Sequence, residues 1–175
     1  GTPAPLAHAS GCLSFGMRTL ILGIGSTILT DDGAGIAIAR KLGERFADRS
    51  DIDVALNEEA GFSLLEEAIG YDRLVVVDAI AADRPVGELI RFELDDFAFT
   101  AHAASPHGLN LGTVLEFGRR QGLPVPDDVV IYGIAVREVS TFGETLTPEL
   151  EARVGGIVEE IAREIEQGGD AGGEA

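Results

Sequence analysis

The strongest constraint on the fold is a set of short, uninterrupted apolar runs. They are separated by stretches whose apolar residues recur every third or fourth position. "RTLILGIG" (18–25) and "RLVVVDAI" (73–80) are continuous aliphatic segments, and Leu74 to Val77 are all apolar and mostly β-branched. Such runs read as strands covered on both faces, since a half-exposed strand alternates apolar and polar residues. "DIDVALNE" (51–58) reads as a second short strand, and "DDVVIYGIAV" (127–136) as another buried one. Between them, "GAGIAIARKLGERFADR" places Ile38, Leu42 and Phe46 on one helical stripe, and "FSLLEEAIGYD" reads as a short helix closed by Gly70. "GLNLGTVLEFGRRQG" puts Leu111, Val114, Leu115 and Gly118 on one face. A last helix, with Thr147 as N-cap and Pro148 in its first turn, carries Val154, Ile157, Val158, Ile161 and Ile165 at helical spacing.

The link "AADRPVG" is too short for a helical crossover, so "ELIRFELDDF" is expected to run antiparallel to the strand before it. Alternating strands and helices predict one three-layer α/β/α domain on a mostly parallel sheet. Its core must be aliphatic, because apolar residues make up 45% of the chain and aromatics only 6%. The domain is expected to span 17–167. Residues 1–16, "GTPAPLAHASGCLSFG", read as a tag remnant or upstream extension, which leaves His8 and the single cysteine, Cys12, without a role. The Gly-rich, acidic residues 168–175 read as a disordered tail. Thirty acids against thirteen bases give a formal charge of −17, a field that repels nucleic acid and anionic membrane surfaces. No apolar run reaches the length of a membrane-spanning helix.

In parallel sheets, chemistry gathers beyond the carboxyl ends of the strands. Three polar positions are expected there: Asp32 after the first strand, Asp78 at the end of "LVVVD", and His107 beside a helix start. The stretch "LGIGSTILTDDGAG" (22–35) begins like a dinucleotide loop. It has Ile28 where the third glycine belongs, and Asp31 and Asp32 stand where a pyrophosphate would bring its charge. Glu58 or Glu59 would have to serve as the ribose-binding acid. No Gly-Lys-Ser/Thr follows, and no Gly-x-Ser-x-Gly elbow occurs. Two carboxylates and an imidazole instead make a three-point donor set for a divalent transition ion.

Each of these residues also has a purely structural reading. One of Asp31 and Asp32 is expected to cap the helix that follows, and Asp31 is assigned to the turn. Asp78 could bond a neighbouring loop amide, although a carboxylate that closes four apolar residues is costly without a partner. His107 can be an ordered loop residue, and His102 is expected to be exposed. Gly33 and Gly35 can serve only to turn the chain and let it lie close to the sheet.

Four segments, in order, resemble the NiFe hydrogenase maturation endopeptidases: "ILGIGSTILTDDGAGIAIARKL", "LVVVDAI", "SPHGLNLGTVLEF" and "VVIYGIAVREVSTFGETLTPEL". The resemblance runs from Met17 to about Ile165. It implies a five-stranded, phosphorylase/hydrolase-like sheet with "ELIRFEL" as its antiparallel member. It implies a peptidase that removes the C-terminal extension of a hydrogenase large-subunit precursor after nickel insertion. Asp32, Asp78 and His107 would be both its metal-contacting and its catalytic positions. The nickel would arrive with the substrate, and zinc or cadmium could occupy the same place. The enzyme would be cytoplasmic and monomeric, with the precursor as its partner. The chain departs from the family pattern at Ser26, at "NEEAG" after the second strand and at "VREVS" after the last. Two other readings stand beside this one: a nucleotide-binding enzyme on a similar fold, and a non-catalytic, metal-checking maturation chaperone. A proton-sharing pair of aspartates would also hydrolyse amides, but it leaves His107 without a task.

Overall fold

The computed structural model describes residues 16–59, 61–94, 111–137 and 139–169. Its strands are β1 (Thr19–Ile24), β2 (Ile52–Asn57), β3 (Arg73–Ala81), β4 (Leu89–Glu93) and β5 (Asp128–Val136). Its helices are α1 (Ala34–Arg45), α2 (Phe62–Ala68), α3 (Leu111–Arg120) and α4 (Pro148–Gly169). The strands form one five-stranded sheet in the order β2-β1-β3-β5-β4. All neighbours are parallel except β4 and β5. No helix among the described residues is long and apolar enough to cross a membrane.

The continuous apolar runs are the central strands, and they are buried on both faces as their composition requires. Alternation along each strand divides the core in two. Ile21, Val75, Val77, Val130 and Ile134 meet Ile38, Leu42 and Phe46 of α1, together with Val154, Ile157, Ile161 and Ile165 of α4. Leu20, Leu22, Leu74, Val76 and Ile131 meet Leu64 of α2 and Leu111 and Leu115 of α3 on the opposite face. Every apolar position read from the helical spacing is therefore inside. Each such aliphatic side chain contributes about 1.5–3 kcal/mol of burial.

Helix α1 approaches the sheet unusually closely, and two glycines allow it. A Cβ on Gly35 would stand 2.2 Å from the Ile24 carbonyl oxygen and 2.3 Å from that of Val77. A Cβ on Gly23 would stand 2.5 Å from Ala39 Cβ. The close-packing reading of Gly35 is thus borne out. On the far side of the same face, Tyr132 of β5 donates its hydroxyl to Glu164 Oε2 of α4 at 2.6 Å.

Strand β4 has the expected direction. It runs opposite to β3, as the short link demands, but β5 lies between them. The link crosses the end of β5, where Ala82 N–H donates to the Val136 carbonyl and Gly87 N–H to that of Ala135, at 3.2 and 2.8 Å. A link of this length can clear one strand without a helix, so its length determines direction and not adjacency.

Candidate active site

From β1 the chain leaves through α1 to β2 on one side, and from β2 it returns through α2 to β3 on the other. The connections therefore part between β1 and β3. Doubly wound sheets open a crevice at that place, at the carboxyl ends of the strands. Both aspartates chosen from the sequence lie there.

Asp32 is positioned by backbone geometry. Gly25, directly after β1, takes φ +149°, and a Cβ on it would stand 2.0 Å from the carbonyl oxygen of Asp32. Only glycine lets the returning chain lie on the strand end in this way. A single 3-10 turn, Thr30–Gly33, then brings Asp32 back over Ser26, whose N–H donates to Asp32 Oδ2 at 2.9 Å. Asp32 is completely buried.

The loop carrying Asp32 is pinned from two sides. On the β2 side, Glu58 Oε1 accepts the Thr27 N–H at 2.8 Å. The hydrogen bonds from Thr27, side chain first and backbone second, hold the Glu58 carboxyl below the usual glutamate range. On the other side, Thr30 N–H donates to the Gly143 carbonyl at 2.8 Å and Gly143 N–H to that of Ile28 at 3.0 Å. The Thr30 hydroxyl donates to the Thr141 carbonyl. Thr30 itself sits at φ +26°, a strained value for a β-branched residue.

Asp31 reaches further still: its two carboxylate oxygens accept the N–H and the hydroxyl of Thr147. This corrects the capping assignment. The N-cap position of α1 is Gly33, with no side-chain hydrogen bond. Asp31 serves the entrance of α4 instead, where its charge meets the positive end of that helix. Glu58 is likewise not poised for a ribose; it is a strut for the β1 loop.

Asp78 is also completely buried, and it lies inside β3 rather than at its end, since the strand continues to Ala81. The register still places it at the rim. Val77 pairs with Gly23, so Asp78 is level with Ile24, the last residue of β1. Across the sheet the row reads Asn57, Ile24, Asp78, Gly133. By alternation these residues face α2 and α3. Gly133 keeps the place opposite Asp78 open for Ile80, whose Cδ1 would be 1.9 Å from an added Cβ.

Asn57 was not singled out by the sequence, yet it is buried at the same level. Its Nδ2 donates to Ser63 Oγ at 3.1 Å and Glu67 Oε1 at 3.3 Å, and its Oδ1 accepts the Glu59 N–H at 2.8 Å. Its signal was an amide side chain ending an aliphatic strand, which reads no differently from an ordinary turn residue.

His107 lies outside the described residues, as do His102 and Ser105. The chain resumes at Leu111, the start of α3, on the face of the sheet towards which Asp78 points. Among the described residues no group of three His, Cys, Asp or Glu could hold a metal ion. Asp32 and Asp78 both lie at the carboxyl edge of the sheet beside β1, and two carboxylates with one imidazole are the kind of donor set that suits a divalent transition ion.

The same corner is ill suited to a phosphate. The Ser26 and Thr27 N–H groups, which a pyrophosphate at the end of β1 would use, already donate to the Asp32 and Glu58 carboxylates.

Comparison with known proteins identifies the family and the fold. Residues 36–164 match a family profile described as HycI, hydrogenase maturation protease. The chain is 28% identical to the hydrogenase 2 maturation protease of Escherichia coli over 155 residues, which cover 87% of this chain and 93% of that protein. In three dimensions it is similar to the hydrogenase maturating endopeptidase HybD of E. coli, with a TM-score of 0.70, 27% identity, and coverage of 87% of this chain and 94% of that one. It is also similar to the NiFe hydrogenase maturation protease HybD of Thermococcus kodakarensis, with a TM-score of 0.65, 30% identity, and coverage of 85% and 99%.

Proposed function

Since the chain belongs to the hydrogenase maturation protease family, we propose that it is an endopeptidase that cuts the C-terminal extension from a hydrogenase large-subunit precursor once nickel is in place. Asp32, Asp78 and His107 receive the nickel that the substrate carries. The observation that carries this reading is two wholly buried carboxylates, Asp32 and Asp78, at the carboxyl edge where β1 and β3 diverge. Burying carboxylates is costly. A cationic substrate group entering the crevice is attracted by two carboxylates held out of water, and a precursor without its ion is not.

In the hydrolysis, water adds to the scissile carbonyl carbon, the carbon–nitrogen bond breaks, and a proton passes to the leaving amine. A carboxylate not engaged by the ion takes the water's proton and returns it to that amine. The substrate's own ion polarises the carbonyl. The buried corner excludes bulk water and strengthens both interactions. Nucleotide binding is disfavoured because the loop amides are already engaged by Asp32 and Glu58.

The test is mass measurement of a large-subunit precursor, with and without nickel, after incubation with the wild type and with the Asp32→Ala, Asp78→Ala and His107→Ala variants. The wild type should shorten only the nickel-loaded form, and the variants should shorten neither while still unfolding cooperatively, at a melting temperature that falls for Asp32→Ala because the Ser26 N–H loses its acceptor. Normal processing by the Asp78 or His107 variant would overturn the site assignment. Binding without cleavage by the wild type would make the protein a checking chaperone.

A further inference from the structure

The two loops tied together at the rim expose an apolar pair that the fold does not use. Ile28 is 55% exposed and Phe142 81% exposed, the latter the most exposed large hydrophobic residue described. They are not on a frayed segment. Leu29 and Gly143 form a parallel bridge, and Ile28 and Phe142 each immediately precede one of its members. The Gly143 N–H to Ile28 carbonyl bond and the Thr30 N–H to Gly143 carbonyl bond hold both backbones in place. Ile28 is also only four residues from the buried Asp32. An apolar pair held rigidly at the mouth of a site binds well, because little conformational freedom is left to lose on contact.

Among the described residues, the charged side chains placed next to the pair are acidic. Glu58, bonded to Thr27, and Glu144, next to Gly143, are both exposed beside it, and Glu59 is exposed at the end of β2. The cation nearest in sequence, Arg137, already pairs with Glu149 at 2.9 Å. An acidic rim around an apolar pair selects a basic partner and repels an acidic one, including another copy of this chain, whose formal charge is −17.

We infer that Ile28 and Phe142 form the docking point for the substrate polypeptide, gripping an apolar side chain of the precursor that is flanked by lysine or arginine. This inference rests on the endopeptidase reading and adds to it the chemistry of recognition outside the metal-receiving corner. The pair sets how tightly the precursor is held, and the buried acids set whether it is cut.

The experiment is steady-state processing of the nickel-loaded precursor by the wild type, by Ile28→Ser/Phe142→Ser and by Glu144→Lys. Each is assayed at two salt concentrations, with melting curves and sedimentation alongside. The double variant should raise KM by about tenfold or more, as loss of a central aromatic anchor does, with little change in kcat. It should stay folded and melt close to the wild type, since Phe142 is mostly in solvent and Ile28 more than half so. Glu144→Lys should raise KM and weaken its salt dependence. An unchanged KM in the double variant overturns the inference while leaving the endopeptidase reading intact. A wild type that leaves the precursor uncut removes both. A change in oligomeric state with unchanged KM would assign the pair to self-association and also overturn the inference.

Discussion

Asp31 holds the entrance of the last helix: one carboxylate oxygen accepts the Thr147 N–H at 2.7 Å and the other accepts its hydroxyl at 2.9 Å. The residue next to Asp31 is the buried site acid Asp32. The residue next to Thr147 begins α4, which covers one face of the sheet. The grip therefore couples the site loop to the longest helix.

Removing that grip should cost stability before it costs chemistry. Asp31→Ala should lower the unfolding free energy by about 1–3 kcal/mol, because the partly buried Thr147 N–H loses its acceptor. Thr147→Val should cost about 1 kcal/mol, and the double variant less than the sum, since both changes remove one interaction. Urea denaturation of the four proteins checks this, and strict additivity would show that the contact carries no energy. Asp31→Ala should retain more processing activity than Asp32→Ala.

Gly25 should be intolerant for a reason specific to the site. Its φ of +149° and the Asp32 carbonyl 2.0 Å from an added Cβ mean that Gly25→Ala must displace the turn carrying Asp32. A displacement of about 1 Å at a reacting group can cost about a hundredfold in rate. Gly122→Ala is the control: φ is +71° there with nothing within 4 Å. That change should cost about 1 kcal/mol of strain and no activity. Similar processing by the two variants would contradict the close approach.

Within α1, two glycines should respond in opposite directions. Gly35→Ala drives a methyl into two backbone carbonyls of the sheet, at 2.2 and 2.3 Å. Backbone cannot rotate aside, so the helix must lift, at a cost of about 1–3 kcal/mol or more. Gly43→Ala meets only the Val54 side chain, at 3.4 Å and beyond. It should gain up to about 1 kcal/mol of helix propensity. Thermal melting of the two variants decides it, and a tolerant Gly35 would show that α1 is not seated as described.

Glu58 should make a small acid-sensitive contribution. Its hydrogen bonds from Thr27 lower its folded-state pKa. That stabilisation is therefore present above the ordinary glutamate value of about 4.3 and disappears as pH falls through the lower folded value. Glu58→Gln should melt below the wild type near neutral pH, with the difference closing on acidification. Melting temperatures from about pH 3 to about pH 7 test the sign, and a difference that widens in acid would refute it.

Periodicity alone identified the buried strands and the inward faces of α1, α3 and α4, because burial of aliphatic side chains is decided residue by residue at spacings set by the backbone itself. Asp32 and Asp78 stood out for a related reason: a carboxylate inside or beside an apolar run is conspicuous wherever the run ends up. The partner of Asp31, the task of Glu58, the seat of β4 beside β5 and the row that joins Asn57 to Asp78 had no such local signature. A carboxylate accepts from any donor that closure of the chain brings within reach, and Thr147 is 116 positions from Asp31. The sequence by itself determined which side chains leave water. Only the tertiary structure decided which polar groups meet once they have left it, since that depends on distances through space that no spacing along the chain encodes.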